Sequence, residues 1–221
     1  MNLIFTLLLG GVLAAAMASF LVMGLLQNRR RTHLARRAHA GDMRFAAEDP
    51  FDVVTRYGEF ALFAAGHSGR AHNVTHGQVE GGLAVRAFDF RYEVGHGIRR
   101  EMRRYVVVAL EAARPLPGVL MWHESDWEQA PLSAVRADRE CEPWRFRGDP
   151  AWAEALAAAA SAEAPELTGI QTRGELLFCW APLGRRGERD YRVLPERIAT
   201  LLQAAREQHE KPSREASPDR P

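Results

Sequence analysis

The first 28 residues of the chain contain no charged side chain, and the run from Leu3 to Leu26 is apolar apart from two hydroxyl residues and several small ones. As a helix at ~1.5 Å per residue, this run would be about 36 Å long, enough for the ~30 Å hydrocarbon core of a bilayer. A cleaved signal peptide is the alternative, because Ala16-Met17-Ala18 resembles a cleavage site. However, the chain lacks the positive start of such a peptide, and the apolar run continues past that site. The sequence therefore predicts one transmembrane helix, bound to the lipid bilayer through residues 3–26.

A cluster of arginines follows the apolar run. Its members are Arg29, Arg30, Arg31, Arg36, Arg37 and Arg44. Positively charged flanks of a membrane helix stay on the cytoplasmic side. The predicted location is thus the inner (plasma) membrane, single-pass, with the N-terminus outside and the soluble domain cytoplasmic. Contact of these arginines with anionic headgroups would be a by-product of that topology.

The rest of the chain has the composition of one ordinary domain. We expect a transmembrane anchor over 1–28, a basic juxtamembrane linker or helical extension over 29–47, an α+β cytoplasmic domain over 48–208 and a disordered, polar tail over 209–221. The formal net charge of +1 gives no indication of nucleic-acid binding, which requires a clustered basic excess. Two cysteines, Cys141 and Cys179, make no disulfide framework and favour a reduced compartment, with a single bridge left open.

The centre of the domain has the pattern of adjoining strands. Residues 85–94 alternate between apolar and polar side chains. Residues 103–110 have the pattern of a strand, and the continuous apolar run that begins at Tyr105 is typical of a central strand. Gly95-His96-Gly97 between them predicts a hairpin loop. The alternation slips by one residue between Ala87 and Phe88, which indicates either a β-bulge or burial of the first part on both faces.

Other segments complete an α+β fold with a mainly antiparallel sheet and two or more helices. Further strands are predicted over 60–65, 74–79, 119–122 and 174–180, with a loop over 66–70, and the early strands would form a meander. Helices are predicted over 150–160, with Asp149 as N-cap, and over 195–208, where Ile198, Leu201, Leu202 and Ala205 share one face. Asp49 before Pro50 has the pattern of another N-cap.

Histidines are the first candidates for a metal site. His67, His72 and His76 lie close in sequence, but their spacing matches no standard ligand pattern, and no cysteine lies nearby to complete a zinc set. The sequence therefore predicts solvated histidines and no metal or cofactor. Residues 66–70 also fail the nucleophile-elbow pattern, and residues 95–100 fail the dinucleotide-loop pattern.

The segment from Trp122 to Glu128 is the strongest candidate for acid–base chemistry. His123, Glu124 and Asp126 stand beside tryptophans, and an apolar surrounding is how enzymes raise the pKa of a carboxyl group. The bland interpretation is a solvated acidic loop. A membrane-tethered hydrolase that uses this cluster or the loop histidines is therefore kept as the alternative function, and no catalytic residue is assigned.

Residues 58–112 carry a glycine and aromatic spacing that includes Gly66, Asn73-Val74, Gly77, Gly81 and residues 88–92, followed by Tyr105-Val106-Val107-Val108 and Pro115. This spacing resembles a group of uncharacterised bacterial single-pass membrane-anchored proteins with a β-rich soluble domain. The resemblance implies an anchor plus a domain and no particular activity. We therefore expect a non-catalytic binding or scaffolding module at the cytoplasmic membrane face, with an unknown protein or small ligand as partner besides the bilayer.

Overall fold

A single antiparallel sheet organises the computed structural model, which describes residues 3–41, 43–126, 139–183 and 194–215. The strands are β1 Arg44–Glu48, β2 His67–Gln78, β3 Ala84–Val94, β4 Glu101–Glu111, β5 Val119–His123, β6 Arg139–Cys141, β7 Trp144–Gly148, β8 Gly169–Arg173 and β9 Leu176–Pro182. The helices are α1 Leu3–Ala40, α2 Val53–Arg56, α3 Pro150–Glu163 and α4 Leu194–Glu215. The predicted α+β domain with a mainly antiparallel sheet is confirmed.

The sheet order is β1-β2-β3-β4-β9-β8-β5-β7-β6. β2, β3 and β4 form the expected meander, and β4 is internal, as its continuous apolar run predicts. β1 adds to the edge of β2, so the end of the segment expected as a linker, from Arg44 on, is a strand of the sheet. The meander does not continue into β5. Instead β9 pairs with β4, and β5 lies between β8 and β7. β9, the last strand in the sequence, therefore joins the two halves of the sheet.

The slip in the apolar pattern of β3 is explained by burial on both faces. β3 pairs with β4 in continuous register from Val85↔Leu110 to Val94↔Glu101, so β3 itself carries no bulge against that neighbour. The irregularity lies on the other neighbour, where β2 has one extra residue between His72 and Thr75. Asn73 occupies that position with φ 54°, a left-handed conformation that asparagine tolerates better than most residues.

Two local predictions are wrong. Residues 60–65, expected as a strand, form turns and a short 3-10 segment over Phe63–Ala65, because their apolar side chains cover the sheet rather than join it. Residues 66–70, expected as a loop from their glycines, are mostly the start of β2. The composition of the two segments predicted burial and flexibility, but whether each forms a strand depends on whether a neighbouring strand is in position to hydrogen-bond with it.

Each face of the sheet has its own core. On one face, which we call the helix face, α3, α4 and the end of α1 pack on alternate residues such as Val85, Val106 and Ile170. The other face is aromatic, and the segment 53–63 covers Phe88, Phe90 and Phe178 there. Both cysteines are free, and burial raises the pKa of the Cys179 thiol.

The two predicted helices of the second half are confirmed. Asp149 caps α3 by accepting a hydrogen bond from the Trp152 amide at 2.8 Å. The predicted apolar face of α4 is fully buried. Because α4 extends to Glu215, the tail predicted as disordered from residue 209 is helical up to that point, and residues 216–221 lie outside the described chain. Asp49, predicted as an N-cap before Pro50, accepts the Val53 amide at 2.7 Å, but α2 begins only at Val53 and its N-cap residue is Asp52.

The N-terminal segment requires a correction. None of the described helices is both long enough and apolar enough to cross a membrane, so the predicted single-pass transmembrane helix is wrong. The apolar run is instead the first part of a 38-residue helix that continues through the arginines to Ala40. Residues 29–40, expected as a linker or helical extension, belong to this helix, and Leu34 and Ala38 are buried in the core.

Candidate functional site

The three candidate metal-binding histidines all lie on β2 but do not converge. His67 and His76 stand nine residues apart on the strand, about 30 Å at ~3.3 Å per residue. Each has its own surroundings. His67 lies within hydrogen-bonding distance of Ser68 Oγ (3.1 Å) and the Gly95 carbonyl oxygen (2.9 Å), whereas His76 packs edge-on against Phe51.

His72 is the most enclosed of the three. It is half-buried and pairs in register with Asp89 on β3. Burial lowers the pKa of His72, and the guanidinium of Arg91 lowers it further, while Asp89 opposes the shift. Within the described chain, no three or more His, Cys, Asp or Glu side chains are grouped as a metal ion requires.

The segment predicted for acid–base chemistry separates its three side chains. His123 Nδ1 lies 2.7 Å from Ser125 Oγ, and the exposed Glu124 lies 3.8 Å from Arg145. Asp126 points inwards and is only 2% exposed. Trp127 and Glu128 of the same segment lie outside the described residues. The side chains of His123, Glu124 and Asp126 therefore do not meet in one cleft.

Asp126 belongs to a buried polar cluster under the aromatic face. Its Oδ2 accepts hydrogen bonds from the hydroxyls of Tyr105 and Thr168, both at 3.1 Å, and its carbonyl oxygen accepts from Trp122 Nε1. Burial raises the pKa of Asp126, and these hydrogen bonds partly oppose the rise. Burial also raises the pKa of the neighbouring Tyr92 to about 12. The cluster connects β4, β5 and the start of β8, so a structural role is sufficient to explain the burial of Asp126.

The largest exposed apolar surface belongs to the first part of α1. Eleven large apolar side chains there are 55% to 73% exposed. They are Phe5, Leu7, Leu8, Leu9, Val12, Leu13, Met17, Phe20, Leu21, Val22 and Leu25. At 3.6 residues per turn they point to every side of the helix, so they form an apolar rod and not a stripe. We call residues 3–26 the apolar half of α1.

The remainder of α1 is held on the sheet by a buried ion pair. Arg30 donates to both carboxylate oxygens of Asp89, from Nε at 3.0 Å and from Nη2 at 2.7 Å. Asn73 at the bulge of β2 donates to the same carboxylate at 2.8 Å. Asp89 is 5% exposed, so this bidentate contact fixes where α1 leaves the domain. We call these three residues the latch.

Sequence reasoning identified the apolar run but missed the latch. Asp89 occupies a polar position of an alternating strand, which predicts a solvated side chain. Its partner Arg30 lies 59 residues away and belongs to a cluster that the sequence assigned to topology alone. The one usable signal is an acidic residue in the middle of a strand whose neighbours are otherwise apolar or basic.

Comparisons with known proteins identify a shared fold and no family. No family model matches the chain, and no curated protein matches it. Among solved structures, the chain is similar to the crystal structure of the mycobacterial trehalose monomycolate transport factor A, TtfA. The TM-score is 0.53 at 15% sequence identity, over 88% of this chain and 98% of that one. Identity this low shows the architecture alone.

Proposed function

We propose that the protein is a non-catalytic binding module that attaches to a lipid bilayer through the apolar half of α1. The observation that carries this proposal is the exposure of eleven large apolar side chains on all sides of that segment. Contiguous apolar surfaces of this size mark interaction sites. The similar structure belongs to a protein named as a transport factor, which agrees with binding without catalysis.

A lipid partner fits the shape of this surface better than a protein groove does. A helix that docks into a groove needs one apolar stripe, and its other sides stay polar. Here Phe20, Leu21 and Val22, three consecutive residues about 100° apart around the helix, are all more than half exposed. Fluid acyl chains can contact side chains that point in different directions, and this contact does not require the helix to cross the bilayer. The exposed Arg29 and Arg31 directly follow and suit a position at the headgroups.

Vesicle flotation tests the proposal with the full-length chain. The wild-type protein should float with phosphatidylcholine vesicles, and the triple variant Leu8→Gln, Leu13→Gln, Leu21→Gln should remain at the bottom. Each leucine contributes roughly 1.5–3 kcal/mol when it leaves water, so the affinity of the triple variant for the vesicles should fall by more than about a hundredfold. The matched control introduces glutamine at Ala151 and Ala158 on the exposed side of α3 and should float as the wild type does.

Self-association is the outcome that would contradict the proposal. If the apolar half served a second copy, sedimentation without lipid would show a discrete dimer that the leucine variant abolishes, and the wild-type protein would ignore vesicles. Unchanged flotation of the leucine variant would equally exclude the apolar half as the bilayer contact.

A further inference from the structure

Three arginines line up across neighbouring strands on the helix face of the sheet. Arg70 on β2 pairs with Arg91 on β3, and Arg91 pairs with Arg104 on β4. Directly opposite residues of an antiparallel pair point to the same face, with Cβ atoms about 4.5–5.5 Å apart. Their face is the one on which α1 lies, because the alternate residues Phe90 and Tyr105 belong to the aromatic core. We call these three residues the arginine row.

The arginine row lacks compensation by carboxylates. Among the described residues, none of its members forms an ion pair. The carboxylates that flank it on the same face are engaged elsewhere: Asp89 by Arg30 at 2.7 Å, and Glu93 by Arg100 at 3.3 Å. Like charges directly opposite each other destabilise a sheet. Such a row is therefore unfavourable by itself and becomes favourable when an anion binds to it.

The arginine row lies where the apolar half of α1 leaves the domain. Met43, whose amide binds the Ala38 carbonyl, packs on Gly77, and Gly77 pairs with Val85. From there the helix reaches Arg30 over Asp89, about 12 Å along its axis and about 13 Å along the strand. Continued in that direction, the helix passes the level of the arginine row and projects beyond the hairpin of β3 and β4.

Exposed apolar side chains occur at the same end of the sheet. Outside α1, the large apolar side chains that the described chain exposes are Ile98, at 103%, and Met102, at 54%. Ile98 lies in the loop that joins β3 to β4, and Met102 is paired with Glu93, one row beyond the arginines. Basic and apolar side chains together match the boundary between headgroups and acyl chains. Nucleic acid would use the arginines but has no need of the apolar residues.

We propose that this end of the sheet is a second bilayer contact that selects anionic phospholipids. The arginine row binds headgroup phosphates, with the bidentate geometry that guanidinium groups offer, and Ile98 inserts at the headgroup boundary. The inference builds on the proposed function, because the apolar half of α1 holds the same end of the sheet against the membrane. The contribution of the arginine row is selectivity among lipids, and that of α1 is attachment.

Quantitative flotation of the full-length chain separates these two contributions. On vesicles with added phosphatidylglycerol, the triple variant R70Q, R91Q, R104Q should bind on the order of a hundredfold more weakly than wild type. On pure phosphatidylcholine the two should bind alike. The control R56Q, R114Q, R147Q removes the same formal charge elsewhere and should keep the preference for phosphatidylglycerol. I98Q should weaken binding to both vesicle types by a few fold.

Urea unfolding keeps the test independent of a folding defect. Removing the like charges should leave the stability of the row variant unchanged or slightly raised in the absence of lipid. A marked loss of stability would mean that the arginines have structural partners, which would overturn the proposal.

The outcomes distinguish this inference from the proposed function. Wild-type binding that ignores phosphatidylglycerol overturns the selectivity and leaves attachment by α1 standing. Binding to anionic vesicles that depends on the row, without any binding to phosphatidylcholine, supports the selectivity and removes α1 as the attachment. Two further results would overturn the lipid assignment: saturable binding of inorganic phosphate as tight as that of anionic vesicles, or row-dependent binding of a single-stranded oligonucleotide tighter than that of vesicles.

Discussion

The two halves of α1 show the reverse of the usual relation between composition and burial: the apolar half is exposed, and the charged half packs on the domain. Residues 3–26 carry no charge and are largely exposed, whereas residues 29–40 carry five arginines and pack on the sheet through Leu34, Ala38 and Arg30. An apolar segment is buried only where a surface exists to receive it, and a charged one is buried where its charge is paired. The second half meets both conditions, because the core receives Leu34 and Ala38, and Asp89 pairs with Arg30.

The largest effect should come from breaking the latch. Asp89→Ala removes the carboxylate to which Arg30 and Asn73 donate. It should lower the free energy of unfolding by about 3 kcal/mol, the lower end for a broken buried pair because Arg30 is 16% exposed. Urea unfolding followed by tryptophan fluorescence measures it. Glu175→Ala, at an exposed turn, is the control and should change stability by less than ~0.5 kcal/mol. An equally small loss for Asp89→Ala would mean that the ion pair does not hold α1 in place.

A matched leucine pair sharpens the comparison along the same helix. Leu34→Ala removes a side chain that is 4% exposed and should cost about 2–3 kcal/mol of unfolding free energy. Leu21→Ala removes one that is 66% exposed and should stay within ~0.5 kcal/mol in the absence of lipid. Equal losses would show that the apolar half packs on the domain after all.

The smallest effect should be a pH dependence beside the latch. Burial lowers the pKa of His72, and of the more exposed His76, below the ordinary 6.5. As the pH falls, these histidines bind protons in the unfolded chain at a higher pH than in the folded protein. The free energy of unfolding is therefore highest above pH 6.5 and declines as the pH falls below that value. Asp89 faces His72 across the strands, and Arg91 and Arg104 lie near it. The double variant H72Q, H76Q should flatten this decline in urea unfolding at a series of pH values, while the exposed His39→Gln should leave it intact.

Local patterns predicted the parts of the fold that local interactions determine. The alternation of residues 85–94, the apolar run of β4 and the Asp149 cap each gave the right element, because hydrophobic period and capping act within a few residues. The order of strands was missed beyond β4, because the neighbour of β4 is β9, which lies at least 65 residues further along the chain, as the pair Glu111↔Leu176 shows.

The candidate sites divide in the same way. The apolar half of α1 could be read from composition, although its context in a longer helix could not. The arginine row could not be predicted, because Arg70, Arg91 and Arg104 become neighbours only through the register of three strands, and the bulge at Asn73 sets part of that register. Asp126 was noted for its acidity, whereas its burial depends on Tyr105 and Thr168 from distant strands.

The late position of β9 in the chain has a consequence for synthesis. Until Leu176–Pro182 leaves the ribosome, β4 is the open edge of the meander, and its run Val106–Leu110 is apolar on both faces. At ~5–20 residues per second, that edge stays open for several seconds after β4 itself is complete. An unpaired apolar edge is a template for pairing with other chains. Chains that terminate before Leu176 should therefore aggregate even though the four-strand meander is intact, and the nascent protein depends on its last strand to end that exposure.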